Sequence, residues 1–162
     1  MKYILPLLLL IAYHTNTFAQ QHKIDSLKQV LITAKLSEKA AIYLRIGRAF
    51  YSLKSDSAFV YLQKAEKLAT QYDSKEILGQ VYGALGSVYH FDKKDAIQAT
   101  AYYEKAVAIF QYSTNQRLYS NYCYNLGIVY AIQGKNTQAL QQYQIALDKK
   151  RALKDPLAEA FI

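Results

Sequence analysis

The side chains that most often carry chemistry are few and widely separated in this chain of 162 residues. The histidines are His14, His22 and His90, and no two of them stand four residues apart with the glutamate that a helical zinc site uses. Cys123 is the only cysteine, which excludes an intrachain disulfide and a cysteine metal cluster. The sequence therefore predicts no metal site and no cofactor, and Cys123 is expected to pack as a small buried hydrophobe.

Acidic residues and glycines offer no catalytic arrangement either. Asp92 and Asp95 stand in a turn cluster, where a carboxylate is expected to cap a helix rather than to act in an acid–base pair. Gly79, Gly83 and Gly86 lie within a helical pattern and lack the preceding strand that a phosphate-binding loop needs. We therefore predict that the chain is not an enzyme and that no small-molecule substrate is bound.

The net charge of +8 raises the question of nucleic acid. Basic residues are spread along the chain, and no run reaches the five or more like charges of an interaction tail. We expect no nucleic-acid partner, and a mild attraction to acidic partners or membrane surfaces is the alternative.

The first nineteen residues have the organisation of a secretory signal peptide. Lys2 supplies the positive start, residues 3–13 are apolar, and Thr17-Phe18-Ala19 ends on a small residue, which predicts cleavage after Ala19. The apolar run is shorter than the roughly 20 residues that span a bilayer, so no stable membrane anchor is expected. The chain is predicted to be exported, and to be periplasmic or secreted.

One pattern of about forty residues occurs three times. Its glycines, Gly47, Gly86 and Gly127, are separated by 39 and 41 positions. Large residues spaced by three or four around each glycine lie on one face of a helix, so each unit is predicted to be a pair of antiparallel helices. The missing side chain at each glycine is predicted to allow the second helix of the pair to approach the first closely. The second helices carry Ala58, Ala99 and Ala139 as a matching small surface, and Leu62, Tyr103 and Tyr143, which are expected to fill the space between units.

These segments resemble the tetratricopeptide repeat in its extended form. The motif is carried by Tyr43-x-x-Ile46-Gly47-x-x-Phe50 with Ala58, Leu62 and Ala65, and by the equivalent residues around Gly86 and Gly127. The resemblance implies an all-α fold, an α-solenoid of antiparallel helix pairs. It departs from the family in having Tyr43, Tyr82 and Cys123 where tryptophan is usual. The predicted divisions are a signal peptide at 1–19, a lead-in helix at 20–36, repeats at 37–72, 73–113 and 114–154, and the start of a further helix at 155–162.

The lead-in segment has apolar residues at Ile24, Leu27, Val30 and Leu31, a face that can cover the first repeat. With Ser55-Asp56-Ser57-Ala58, it resembles the extracytoplasmic start of repeat-bearing sensor kinases and transcription regulators of Bacteroidetes-type bacteria. Two alternatives follow for the chain: a short exported scaffold, or the N-terminal sensory segment of a longer signal-transduction protein.

The resemblance also implies a groove lined by the first helices, which binds a protein or peptide ligand. The predicted binding residues are Arg48, Tyr51, Ser87, His90, Asn121, Tyr124, Asn125 and Ile128. The alternative, that these are only solvated positions, stays open at this point. Among the tyrosines, those at motif positions are expected in the core, and those outside the motif are candidates for exposure: Tyr102, Tyr112, Tyr119 and Tyr122.

Overall fold

The computed structural model describes the backbone of residues 4–154 and the side chains of residues 17–154. The predicted further helix at 155–162 lies outside the described residues. Within them the fold is all-α and contains no strand, as predicted. The helices are α1 (Ile4–Thr33), α2 (Lys39–Ser52), α3 (Ser57–Gln71), α4 (Lys75–Ser87), α5 (Ala96–Phe110), α6 (Gln116–Ile132) and α7 (Asn136–Ala152), and α4 continues into a π-helical turn, Val88–Asp92.

The chain divides into two compact units, Met1–Leu68 and Ala69–Ile162. In the first, Ile24 and Leu27 of α1 are buried against Ile42, Ile46 and Ala49 of α2. Burial of the isoleucine and leucine side chains stabilises the unit by about 1.5–3 kcal/mol each.

Helix α1 runs without a break through the predicted cleavage point between Ala19 and Gln20. Its apolar face is narrower than predicted, because Val30 is 49% exposed while Leu31 is half-buried. None of the described helices combines the length and apolar character that crossing a bilayer requires.

Close packing at the repeat glycines joins the two helices of each pair. A Cβ built at Gly86 would lie 2.8 Å from the ring of Tyr103, and one at Gly127 would lie 2.6 Å from that of Tyr143. At Gly47 the same place is taken by Leu62, at 2.8 Å. The predicted notch is therefore real, but these large residues fill the space inside a helix pair rather than between units.

The core of the second unit is built around aromatic side chains of α5 and α6. Phe110 is fully buried, and its ring centroid lies 5.3 Å from that of Tyr122. Tyr122 is only 6% exposed, so the suggestion that it lies at the surface is wrong. Its ring lies across Gly83 of α4, where the missing side chain leaves room for it. The space beside Gly79, one turn earlier on α4, is filled in the same way by the ring of Phe110.

The turns inside the helix pairs repeat at an interval of 40 residues. Lys54, Lys94 and Gly134 all adopt the left-handed conformation, with φ of 51°, 55° and 72°. This conformation ends a helix by turning the chain away from its axis, and glycine adopts it without steric cost.

Side-chain caps are seen at the starts of two helices. The Asp95 carboxylate accepts hydrogen bonds from the amides of Ile97 and Gln98, at 3.1 and 3.0 Å, and so begins α5. The side-chain oxygen of Asn115 accepts from the Leu118 amide at 3.2 Å and begins α6. Asp95 is thus a cap, as expected.

Candidate peptide-binding face

The predicted binding residues fall in both units. Arg48 and Tyr51 lie on α2 of the first unit, where Arg48 is exposed and Tyr51 half-buried. The other six lie in the second unit. Ser87 ends α4, His90 lies in the π-helical turn, and the remaining residues belong to α6: Asn121, Tyr124, Asn125 and Ile128.

The four residues of α6 share one side of the helix, because their spacing of three and four positions returns to the same face at each turn. Asn121 is exposed, and Tyr124, Asn125 and Ile128 are half-buried. We call these four residues the α6 face. It offers two amides that can hydrogen-bond a peptide backbone, one ring and one aliphatic side chain.

Contacts from α7 hold the ring of Tyr124 in place. Its centroid lies 5.7 Å from that of Tyr143, with the planes at 47°. The Lys150 Nζ also lies 5.7 Å from the Tyr124 centroid, and Lys150 is only 8% exposed. Aromatic and cation–π contacts of this kind contribute about 0.5–1 kcal/mol each. The α6 face is therefore built on a ring with a fixed orientation.

Ser87 is directed into its own helix pair. Its hydroxyl donates to the Gly83 carbonyl at 3.1 Å and lies 3.0 Å from the hydroxyl of the fully buried Tyr103. Tyr103 then donates to Ser87, since the serine proton is already used. The hydroxyl of Ser87 has this structural role whatever else the residue does.

His90 is held in the π-helical turn by its neighbours. Its ring centroid lies 4.1 Å from that of Phe91, and its buried Nδ1 forms no hydrogen bond within the described part of the chain. Desolvation lowers the pKa of His90, and the nearby charge of Lys94 lowers it further. The neutral imidazole, which presents no positive charge to a ligand, is therefore favoured at pH 7.

Each of the first two helix pairs contains a cluster that the sequence reasoning missed. In the first, Tyr61 lies 6.0 Å from Tyr43 and 5.3 Å from Phe50 between ring centroids. The Lys64 Nζ lies 5.8 and 5.2 Å from the rings of Tyr43 and Tyr61.

The second unit reproduces this cluster. Tyr102 lies 6.0 Å from Tyr82 and 5.4 Å from Tyr89, and the Lys105 Nζ lies 5.1 Å from the rings of Tyr82 and Tyr102. Tyr102 and Lys105 stand at the same repeat positions as Tyr61 and Lys64, so this signal was present in the sequence. The clusters join the two helices of a pair.

A polar seam links α5 to α6. The Gln133 Nε2 donates to the Thr100 hydroxyl at 2.6 Å and to the Ala96 carbonyl at 2.9 Å. The Tyr130 hydroxyl donates to Glu104 at 2.5 Å. Burial, and then the bond and charge of Glu104, raise the pKa of Tyr130 to about 12.

Cys123 lies inside the second unit, as predicted, with none of its surface exposed. Burial raises the pKa of its thiol to about 11, although the hydrogen bond with Tyr119 and the charge of Lys149 act in the opposite direction. The described residues contain no group of three histidine, cysteine or acidic side chains that could hold a metal ion.

Antiparallel helix pairs, closed by a large side chain on a helical glycine and repeated along the chain, define a helical-repeat protein of the solenoid type. A tetratricopeptide repeat model matches residues 77–152, and a model described as the SusR N-terminal TPR domain matches residues 13–91. The chain belongs to the tetratricopeptide repeat family. Such repeats are protein–protein interaction scaffolds and are generally not catalytic.

The fold has a counterpart among solved structures. The chain is similar to the crystal structure of BtubC (BKLC) from P. vanneervenii, with a TM-score of 0.72 and 21% sequence identity. The match covers 85% of this chain and 59% of that chain, and at this identity it shows the fold alone. No curated protein matches the chain.

Proposed function

We propose that this chain is an exported scaffold that binds a peptide or protein segment in the groove lined by its first helices, with no covalent chemistry, cofactor or small-molecule substrate. The observation that supports it best is the α6 face, where Asn121, Asn125 and Ile128 share one side of the helix with the oriented ring of Tyr124. Amides can pair with a peptide backbone, and a fixed ring supplies contact area at low cost in conformational entropy. Ser87 and His90 remain predicted contributors in the same unit, and Arg48 and Tyr51 remain a prediction for the first unit by itself.

The test uses the full chain as bait in an extract of the compartment to which it is exported. The double change Asn121→Arg with Asn125→Arg places two bulky charges on the α6 face without touching the core. Proteins captured by the natural chain are expected to be lost with this variant. Circular dichroism checks that the variant is folded.

A charge-matched control carries Asn136→Arg with Gln138→Arg, two exposed positions in the first turn of α7. This control is expected to capture the same proteins as the natural chain. If the α6 variant captures them as well, the ligand does not bind at the α6 face and this assignment is wrong.

Export is a separate part of the proposal, and Lys2, the apolar run at 3–13 and Ala19 support it. Mass spectrometry of the chain recovered from its source cells tests it. A mature form that begins at Gln20 is expected, whereas a form that retains Met1 to Ala19 would exclude processing at this site.

A second candidate function is that of the sensory N-terminal segment in a longer signal-transduction protein, a histidine kinase or a transcription regulator. The match over residues 13–91 favours it, because that model describes an N-terminal domain. Reading the coding sequence beyond Ile162 separates the candidates. A frame that continues into a membrane span and a signalling domain supports the sensor, and a stop codon supports the short scaffold.

A further inference from the structure

A cleft of about 470 Å³ opens where the start of α4 meets the end of α5. Ile109 and Phe110 contribute its apolar part, and Phe110 is itself fully buried beneath the surface. Lys75 and Glu76 line it from α4, and Tyr112 and Ser113 line it from the turn that follows α5. None of these residues belongs to the α6 face, so the cleft is a separate feature of the second unit.

Tyr112 is the unusual member of the lining. It is 88% exposed, the highest value among the large hydrophobic side chains that the structure describes. A tyrosine ring in water beside an apolar cleft is typical of a contact surface, because it supplies area to a partner and a hydroxyl for hydrogen bonding.

The surroundings of the cleft are basic. Antiparallel packing brings the end of α7 to the start of α6, since the Ser120 hydroxyl donates to the Ala146 carbonyl at 2.9 Å. The Lys149 Nζ lies 5.7 Å from the ring of Tyr119, and Tyr112 is near enough to Tyr119 to contribute to the raised pKa of that tyrosine. Apart from the buried Lys150, this end of the helices carries five cationic side chains against three acidic ones, which are Lys75, Arg117, Lys149, Arg151 and Lys154 against Asp73, Glu76 and Asp148.

We propose that this cleft is a second docking site, which takes an aromatic or large aliphatic side chain from an acidic peptide segment of a partner protein. Ile109 and Tyr112 receive the apolar side chain above the buried Phe110, and Lys75 and Lys149 attract the flanking carboxylates. A concave site fits a single protruding side chain, whereas a bilayer surface would need a flat or convex apolar patch. The observations therefore favour a peptide over an anionic membrane.

The probe is a short acetylated peptide with one phenylalanine among glutamates, carrying a fluorophore, and its binding to the full chain is followed by anisotropy. We expect saturable binding that weakens about tenfold in Lys75→Glu, because attraction becomes repulsion at the cleft. We expect Tyr112→Ala to weaken it about fivefold or more through loss of contact area. Both side chains are exposed, so neither change disturbs the fold.

The matched control is Lys94→Glu, an exposed lysine in the turn at the other end of α5 with the same change in charge. It is expected to bind the probe as the natural chain does. Equal losses in Lys75→Glu and Lys94→Glu would show attraction by net charge alone and overturn the proposal. Equal binding of a second peptide with alanine in place of phenylalanine would also overturn it.

Two further measurements separate this site from its alternatives. The Asn121→Arg, Asn125→Arg variant is expected to keep full affinity for the probe, and a loss there would place the peptide on the α6 face instead. Vesicles of phosphatidylserine and phosphatidylcholine are expected not to displace the probe. Displacement by them, together with weaker vesicle binding in Lys75→Glu, would assign the cleft to a membrane surface.

Discussion

The ring of Tyr122 on α6 lies directly across Gly83 on α4, so that a Cβ atom added at Gly83 would overlap the ring. Tyr122 also packs on Phe110 of α5, with ring centroids 5.3 Å apart. One tyrosine therefore contacts both helices of the preceding pair and fixes how the next helix sits on them. The missing side chain at Gly83 is a requirement of packing between helix pairs, whereas Gly86 serves packing within one pair.

Replacing Gly83 by alanine is expected to destabilise the protein. Alanine gains about 1 kcal/mol over glycine in a helix, but overpacking of a core costs about 1–3 kcal/mol, and a buried tyrosine ring has few alternative positions. We expect a net loss of about 1 kcal/mol, measured as a lower midpoint in chemical denaturation. In a Tyr122→Leu background the same change should cost less, and an equal cost in both backgrounds would show that the two residues do not interact.

The sequence was sufficient to predict the parts of the fold that repeat. The spacing of Gly47, Gly86 and Gly127 predicted the helix pairs, and the caps at Asp95 and Asn115 follow from side-chain chemistry alone. Contacts between pairs were not predictable in this way. They depend on how far one pair rotates against the next, and the motif does not encode that angle.

Tyr122 and the cleft are two features that the sequence alone did not predict. Tyr122 lies outside the motif, one position before Cys123, and only the approach of α6 to Gly83 makes it a core residue. The cleft depends on the course of the turn after Phe110, which directs Tyr112 into water. The α6 face follows from helical periodicity, but its fixed ring depends on Lys150 and Tyr143, which come from the next helix.

Gln133 is expected to stabilise the packing of α6 on α5. Its amide donates to the Thr100 hydroxyl at 2.6 Å and to the Ala96 carbonyl at 2.9 Å. Gln133→Ala removes both bonds and should lower the free energy of unfolding by about 1–2 kcal/mol. Gln138→Ala, at an exposed position of α7, is the control and should stay within about 0.5 kcal/mol of the natural protein. Equal effects of the two changes would mean that the seam contributes nothing measurable.

Lys94 and Gly134 occupy the same turn position of the repeat. Replacing Lys94 by glycine and Gly134 by alanine should change the stability of the protein in opposite directions. Lys94 adopts φ of 55°, where its Cβ is crowded, so Lys94→Gly is expected to stabilise the protein by up to about 1 kcal/mol. Gly134 adopts φ of 72° with open space around it, so Gly134→Ala introduces strain without a clash and should cost about 1 kcal/mol. Thermal denaturation measures both. Shifts of the same sign would contradict a shared left-handed conformation at this position of the repeat.

Cys123 is expected to be unreactive as long as the second unit is folded. Burial raises the pKa of its thiol from 9.0 to about 11, so the thiolate that attacks a disulfide reagent is about 100-fold rarer than for an ordinary thiol, and its path to solvent is closed. Because the pKa is higher in the folded state, the stability linked to this group is complete below pH 9 and is lost as the pH rises through about 11.

The measurement is the rate of reaction of Cys123 with an aromatic disulfide at pH 8, before and after denaturation in guanidinium. Slow labelling that becomes fast on unfolding is the expected result, and it reports directly on the integrity of α6 and α7. Rapid labelling of the folded chain would mean that this helix pair opens frequently, and that the α6 face is not held in one arrangement.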